Sequence, residues 1–142
     1  MLVSKVKEQI SDWEKRKIQN SKLPPYKRLS ESDIELDLSA CEIREIEFIC
    51  ELQGVSNLNL ANNLIEDITA LGNCKDLSKV MLNNNLIQDA LPIRNCEKII
   101  FVNFVNNKLP FVYGEQKKMV RDSLPDAQIH WDSRLRTPNL FG

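Results

Sequence analysis

The sequence of 142 residues has little of what enzymes and metal sites need. It contains one histidine, four glycines and four cysteines, and the cysteines form no C-x-x-C pair. A zinc site and a glycine-rich phosphate cradle therefore have little support. Nineteen basic and twenty acidic residues leave a net charge of −1, without the strongly basic patch of a nucleic-acid-binding domain. We expect no cofactor, no metal and no direct nucleic-acid ligand.

Long apolar runs are also missing. No run approaches the roughly 18 residues of a membrane span, and the opening MLVSKVKEQISDWEKRK has no apolar signal-peptide core. The sequence has no N-x-S/T sequon either. These absences favour a reduced, intracellular compartment. We expect a cytoplasmic protein without a membrane partner, and a nuclear or cytoskeletal location is the alternative.

The chain does contain a repeat. Four segments share the pattern φ-x-φ-x-x-N/C-x-φ-x-x-φ, where φ is apolar: LDLSACEIREI, LNLANNLIEDI, VMLNNNLIQDA and VNFVNNKLPFV. They begin at Leu36, Leu58, Val80 and Val102, so each copy starts 22 residues after the previous one. This is the leucine-rich-repeat pattern, and its period lies in the expected range. The sequence predicts an α/β leucine-rich-repeat solenoid of about four repeats, with a short parallel β-sheet on its concave face.

The apolar positions of the repeats predict the core. Stacked repeats bring equivalent side chains together in columns. The predicted core columns are Leu36, Leu58, Val80, Val102; Leu38, Leu60, Leu82, Phe104; Ile43, Ile65, Ile87, Leu109; Ile46, Ile68, Ala90, Val112; and Ile49, Leu71, Ile93. Cys74 and Cys96 occupy a small-residue position of the same core, whereas the position of Cys50 is uncertain.

One polar column runs through the same repeats. It consists of Cys41, Asn63, Asn85 and Asn107. The sharp turn after each strand leaves inward-facing backbone N–H and C=O groups that need partners. A side-chain amide can both donate and accept hydrogen bonds, so we predict a structural ladder of stacked asparagines. Cys41 is small enough for the same position and is interpreted as structural.

Four further columns are predicted to face outward on the concave side. They are Glu35, Asn57, Lys79, Phe101; Asp37, Asn59, Met81, Asn103; Ser39, Ala61, Asn83, Val105; and Ala40, Asn62, Asn84, Asn106. Gln128 is expected to extend the second column and His130 the third. The asparagines are expected to be solvated, with pairing to a partner's backbone as the alternative.

A partner-binding site is predicted on this concave face. Its residues are Asn57, Asn59, Lys79, Met81, Asn83, Phe101, Asn103 and Val105. The centre is the cluster of Met81, Phe101 and Val105, because exposed apolar residues that lie together mark interaction surfaces. The alternative is that a terminal segment of the same chain covers this cluster.

The N-terminal segment departs from the repeat. Apolar residues recur with helical spacing between Val3 and Trp13, so residues 1–30 are predicted to form an amphipathic helix and a linker. We expect the helix to cap the first repeat, and docking of a partner is the alternative. Residues 31–132 are predicted to be the leucine-rich-repeat domain with its C-terminal cap, and residues 133–142 a flexible tail.

The 22-residue period also fails near the C-terminus. Val120 and Leu124 can share one face of a helix, which Pro125 would end. A last short strand would follow. Its alternation predicts that Ala127 and Ile129 face the core.

The repeats and this closing segment resemble the intracellular class of 22-residue leucine-rich-repeat proteins. That class includes a regulatory subunit of protein phosphatase 1, the U2 small nuclear ribonucleoprotein A-prime protein and the dynein leucine-rich light chain. Many members close with a cap reading Y-R-…-φ-φ-…-L-P-x-L-x-x-L-D, and the corresponding positions here are Tyr113, Val120, Leu124, Pro125, Ala127, Trp131 and Asp132. Gly114 replaces the arginine of the cap, Ala127 replaces a leucine, and Trp131 comes one residue late. Bacterial internalins share N-x-I-x-D-I repeats but carry a secretion signal and a different cap.

The resemblance implies a fold more tightly than a function. We expect a non-enzymatic protein–protein interaction module, an adaptor or scaffold, that binds a partner protein on the concave face. The alternative is a structural subunit of a cytoskeletal, axonemal or ribonucleoprotein assembly that docks through its convex side or N-terminal helix. A third hypothesis is an enzyme that uses Cys50 or His130, since His130 lies near Asp126 and Asp132 in sequence.

Overall fold

The strands form one sheet whose order follows the chain. The computed structural model describes residues 26–28, 34–47, 49, 54–110 and 114–131. The six strands are β1 (Tyr26–Arg28), β2 (Ile34–Asp37), β3 (Val55–Asn59), β4 (Lys79–Met81), β5 (Phe101–Asn103) and β6 (Gln128–His130). Strands β2 to β6 are parallel, and β1 adds to β2 in the antiparallel sense. The predicted N-terminal helix and the tail 133–142 lie outside the described residues, and the domain boundaries stay a prediction.

The strand register reproduces the sequence period. Asn57 pairs with Lys79, and Lys79 pairs with Phe101, so the neighbours across the sheet are equivalent residues of successive copies. The α/β leucine-rich-repeat solenoid with a parallel sheet is therefore the fold of the described chain. Strand β1 lies within residues 1–30, in the part that the sequence predicts to be a linker.

Short 3-10 helices replace α-helices on the return path of two repeats. They span Thr69–Asn73 and Leu91–Asn95. Asp67 precedes the first of them, and its Oδ1 accepts hydrogen bonds from the Thr69 hydroxyl at 2.6 Å and the Thr69 N–H at 2.8 Å. These two bonds lower the pKa of the Asp67 carboxyl, because they favour its charged form. Each of these 3-10 helices has only five residues, a short and tightly wound return segment.

The core lies between the sheet and these return segments, as the apolar columns predict. Every described member of those columns is buried, from Leu36 in the first repeat to Leu109 in the last, whereas Val112 lies outside the described residues. Cys96 is buried and Cys74 half-buried against the core. Burial raises the pKa of the Cys96 thiol to about 11, and its Sγ–H donates to the Leu71 carbonyl at 3.0 Å.

The last return segment contains the single α-helix of the described residues, α1 (Gly114–Ser123). Val120 on this helix is fully buried. The Gln116 side-chain oxygen accepts the Ala90 N–H at 3.0 Å and ties the helix to the preceding repeat. The helix ends before Pro125, as the sequence predicts. Within the described residues, no helix combines the length and apolar character that a bilayer span requires.

The register of β6 differs from the sequence prediction. Gln128 pairs with Phe101, Ile129 with Val102 and His130 with Asn103. Gln128 therefore extends the first outer column and His130 the second, so the predicted positions one column further on were wrong. A turn follows α1, and in it the Ala127 N–H donates to the Leu124 carbonyl at 3.1 Å. This turn contains the extra residues that precede β6.

Candidate binding groove on the concave face

A ladder of buried asparagines holds the turns that follow the strands. Asn63 Oδ1 accepts the N–H groups of Cys41 at 3.0 Å and Ile43 at 2.9 Å. Its Nδ2 donates to the carbonyls of Leu38 at 3.0 Å and Leu60 at 2.9 Å. One side chain thus satisfies backbone groups of two successive repeats, which otherwise would be buried without partners.

Asn85 and Asn107 repeat this arrangement one and two copies later. Asn85 Oδ1 accepts the Ile65 N–H and Asn107 Oδ1 the Ile87 N–H, both at 3.0 Å. Each Nδ2 donates to a carbonyl of the preceding repeat, at 2.9 Å in both cases. The ladder therefore joins each turn to the turn of the preceding repeat.

Cys41 occupies the same position in the first repeat and is half-buried. Its Sγ lies 3.3 Å from the Ser39 carbonyl, so the thiol bonds within its own turn. Burial raises the pKa of this thiol, and the charge of Asp37 adds to the effect. A raised pKa keeps the sulfur protonated and a poor nucleophile.

A second asparagine ladder lies outside the first. Asn62, Asn84 and Asn106 have φ angles of 60°, 61° and 61°, in the left-handed region that asparagine tolerates. Asn84 Nδ2 donates to Asn62 Oδ1 at 2.8 Å, and Asn106 Nδ2 donates to Asn84 Oδ1 at 2.7 Å. We expected these side chains to be solvated, with pairing to a partner's backbone as the alternative, and the structure pairs them with one another. The sequence signal was the fourth outward column, which has asparagine in three of its four positions.

Two columns of outward side chains cover the strands of the concave face. The first column is Glu35, Asn57, Lys79, Phe101 and Gln128, and the second is Asp37, Asn59, Met81, Asn103 and His130. Acidic residues occupy the β2 end, uncharged amides follow on β3, and the apolar Met81 and Phe101 lie on β4 and β5. The face therefore has acidic side chains on β2 and an apolar pair on β4 and β5, beside the basic Lys79.

A groove of about 500 Å³ crosses these columns. Its lining includes five of the predicted partner-binding residues: Asn57, Asn59, Lys79, Met81 and Phe101. Glu35, Leu58, Ile100 and Gln128 complete it. Ile100 is 51% exposed and is missing from the predicted site. It directly precedes β5, and the strand alternation gave no reason to place it at the groove.

The structure does not bring the other three predicted residues into this groove. Asn103 Oδ1 accepts the Val105 N–H at 2.9 Å, and Val105 is 37% exposed beyond the strand end. Asn83 is half-buried, and its Oδ1 is enclosed without a hydrogen-bond partner. Its neighbour in the same column, Ala61, is buried. The outward placement of this third column was wrong for Ala61, because the chain already turns there and the strand alternation no longer applies.

Two charged residues, Glu35 and Lys79, line the groove. Lys27 of β1 lies opposite Glu35 in the antiparallel register. The ion pairs Lys98–Asp76 and Lys118–Asp122 lie on exposed surface. No group of three or more potential metal ligands occurs within the described residues.

His130 closes the far end of the face beside the groove. Its ring centroid lies 5.1 Å from that of Phe101 at an angle of 53°, and its Nε2 lies 3.0 Å from Gln128 Nε2. Among the described residues, the polar neighbour of the imidazole is thus an amide. Asp132, one of the two carboxylates considered as its partner, lies outside the described residues.

Solved leucine-rich-repeat structures share this fold. Internalin C2 from Listeria monocytogenes aligns with 67% of this chain at 24% identity and a TM-score of 0.58. A leucine-rich-repeat protein from Leptospira interrogans aligns with 61% of this chain at 22% identity and a TM-score of 0.52. The aligned region spans only 39% and 22% of those two chains.

Comparisons of sequence give no narrower relationship. No family model matches the chain, and no curated protein matches it. The resemblance to the intracellular 22-residue class therefore stays a hypothesis. The comparisons establish the architecture: the chain has a leucine-rich-repeat fold.

Proposed function

We propose that the protein is a non-enzymatic interaction module, an adaptor or scaffold, that binds a partner protein in the concave groove. The groove, with the half-buried Met81 and Phe101 in its lining, is the observation that carries this proposal. Its volume of about 500 Å³ is enough for one or two side chains of a partner. Hot-spot residues of interfaces insert into such rigid apolar pockets.

The groove is preorganised, which favours binding of a partner. Its side chains project from hydrogen-bonded strands, and the buried asparagine ladder fixes the turns that follow. Little conformational entropy is then lost when a partner binds. His130 contacts Phe101 and Gln128, an arrangement that supports a structural role for the imidazole beside the groove.

The partner-binding test uses two groove substitutions and one matched control. Met81→Glu together with Phe101→Asp places two carboxylates in the groove, whereas Met119→Glu makes the same kind of change on α1, where Met119 is 42% exposed. We expect a protein captured from native extract by the wild-type chain and by Met119→Glu to be lost with the double variant. Circular dichroism should show that all three remain folded.

The second candidate function is a structural subunit that docks outside the groove. The exposed Met119 on α1 favours it, since this apolar side chain lies away from the concave lining. The same experiment separates the two functions. A captured protein that still binds the double groove variant but no longer binds Met119→Glu would support the structural subunit. It would contradict the adaptor function.

The compartment of the protein is part of the same proposal. We propose a cytoplasmic location, on the composition of the sequence and its cysteine usage. Fluorescence microscopy of the tagged chain tests this, and accumulation in the nucleus or on cytoskeletal structures would contradict it.

A further inference from the structure

We infer that Met81 selects the ligand of the groove, and that this ligand is a peptide segment with an apolar side chain and a Lys or Arg three or four residues away. The inference rests on the proposed function, because it specifies what the same groove recognises. It is carried by a bond that one repeat lacks and by the two acidic side chains at the β2 end.

Three of the four repeats close their strand with the same side-chain bond. Asp37 Oδ1 accepts the Ser39 N–H at 3.0 Å, and Asn59 Oδ1 accepts the Ala61 N–H at 3.0 Å. In the last repeat Asn103 makes the equivalent bond at 2.9 Å. An Asp or Asn oxygen that binds the N–H two residues later stabilises a turn.

Met81 occupies the equivalent position in the third repeat. Its thioether cannot supply the carboxylate or amide oxygen that the other repeats use. The N–H that such an oxygen would accept is that of Asn83, two residues later, as in the other repeats. The third repeat is therefore locally less stable at Met81, the residue in the middle of the groove. Such local conflicts are expected where a side chain serves a binding site.

The acidic end of the face gives the ligand its second feature. Glu35 and Asp37 project from β2 on the same face, so this end carries two acidic side chains. Adjacent strands lie about 4.8 Å apart, so β4 and β5 lie about 10 and 14 Å from β2. A cationic side chain fits the β2 end. It does not fit the middle, where Lys79 projects beside the apolar pair.

These distances define the spacing within the ligand. An extended peptide rises about 3.3 Å per residue, so 10 to 14 Å corresponds to roughly three or four residues. The apolar side chain would pack against Met81, Phe101 and Ile100, and the base would reach Glu35 and Asp37. Lys79 then faces the intervening backbone, where it can donate to a carbonyl oxygen.

A display library of random 12-residue peptides tests the inference directly. Selection on the full wild-type chain should enrich peptides with an aromatic or aliphatic residue and a Lys or Arg three or four positions away. A double variant, Glu35→Gln with Asp37→Asn, should remove the basic preference and keep the apolar one. Asn at position 37 can still accept the Ser39 N–H, as Asn59 and Asn103 do in their repeats.

Met81→Asn provides the second arm. It supplies the missing turn oxygen, so we expect the melting temperature to rise by roughly 2–5 °C, while affinity for a synthesised enriched peptide falls at least tenfold. Met119→Asn makes the same chemical change on exposed α1 and should leave peptide affinity unchanged. A Met81→Asn variant that is no more stable, or that binds as tightly as the wild type, would overturn the assignment of Met81.

The outcomes distinguish a failure of this inference from a failure of the proposed function. Enriched peptides that depend on Met81 but lack the basic residue would overturn the inferred ligand and leave the groove as the binding site. Enriched peptides that bind equally to the Met81→Glu/Phe101→Asp variant would overturn the groove itself. A wild-type selection without any enriched sequence would overturn the peptide ligand.

Discussion

At the scale of single residues, asparagine has three distinct tasks in this protein. Asn63 and its buried equivalents bind the backbone of two repeats, with Nδ2 and Oδ1 both in use. Asn84 and its neighbours adopt a left-handed backbone and pair side by side. Asn59 and Asn103 close the strand ends. The amide suits all three tasks because one short side chain carries both a donor and an acceptor.

The contrast between Asn85 and Asn83 tests the buried ladder. Asn85→Ala removes an amide that bonds backbone groups of two repeats, and the orphaned groups should cost about 1–3 kcal/mol of unfolding free energy. Asn83→Ala removes an enclosed oxygen that has no partner and should be neutral or slightly stabilising. Urea unfolding of both variants provides the comparison. Equal losses of unfolding free energy in the two variants would contradict this assignment of a stabilising role to Asn85 alone.

At the scale of elements, the turn after each strand depends on a left-handed residue. The first repeat has Ala40 at this position, with a φ of 54°, where the other repeats have asparagine. A non-glycine residue without a short polar side chain is strained by roughly 1–2 kcal/mol in this region. The first turn therefore lacks both the tolerated residue and one rung of the outer ladder.

Ala40→Asn should repair this turn. The new amide oxygen would accept a hydrogen bond from Asn62 Nδ2, as Asn62 Oδ1 now accepts one from Asn84. We expect the unfolding free energy to rise by about 1 kcal/mol, measured by urea unfolding. Ala40→Gly is the control, since it relieves the backbone strain without adding a rung. A gain no larger than that of Ala40→Gly would show that the rung contributes nothing.

Periodic sequence is what made the elements predictable. The apolar columns and the strand pairing from β2 to β5 follow from a fixed spacing, because each copy repeats the geometry of the one before. The register of β6 did not follow the 22-residue period, because its position depends on a helix and a turn whose lengths have no counterpart in the repeats. Strand β1 pairs antiparallel and has no repeat signal at all.

The lining of the candidate groove was predictable to the same extent and for the same reason. Lys79, Met81 and Phe101 lie in paired strands, so alternation alone put them on the concave face. Asn83 and Ile100 flank the strands, where orientation depends on how the chain turns. The missing bond at Met81 became visible only by comparison with the bonds that Asn59 and Asn103 make.

At the scale of the whole molecule, the solenoid behaves as a stack in which each repeat contacts its neighbours. Backbone bonds run from one copy to the next, as from Leu60 N–H to the Met81 carbonyl and from Leu82 N–H to the Asn103 carbonyl, both at 2.9 Å. Stability is then close to a sum of repeats and the interfaces between them. An added repeat should bring its own interface.

Duplicating residues 79–100 in place tests this additivity. The copied strand would lie between β4 and β5, and all buried columns and the asparagine ladder would continue through it. We expect the melting temperature by circular dichroism to be at least that of the wild type. The control is the same insertion with one residue removed from its turn, which displaces each later side chain from its column and should lower the melting temperature. Equal behaviour of the two insertions would contradict the stacked description.

The strand spacing also gives the concave face a unit of length. The acidic end on β2 and the apolar centre on β4 and β5 are separated by whole strands, each about 4.8 Å wide. A repeat gained between them lengthens the required ligand by one such step, or roughly one and a half extended residues, and no smaller change is available. Substitutions can therefore change the side-chain preference of this surface gradually. The length of ligand that it accepts can change only in steps of one strand.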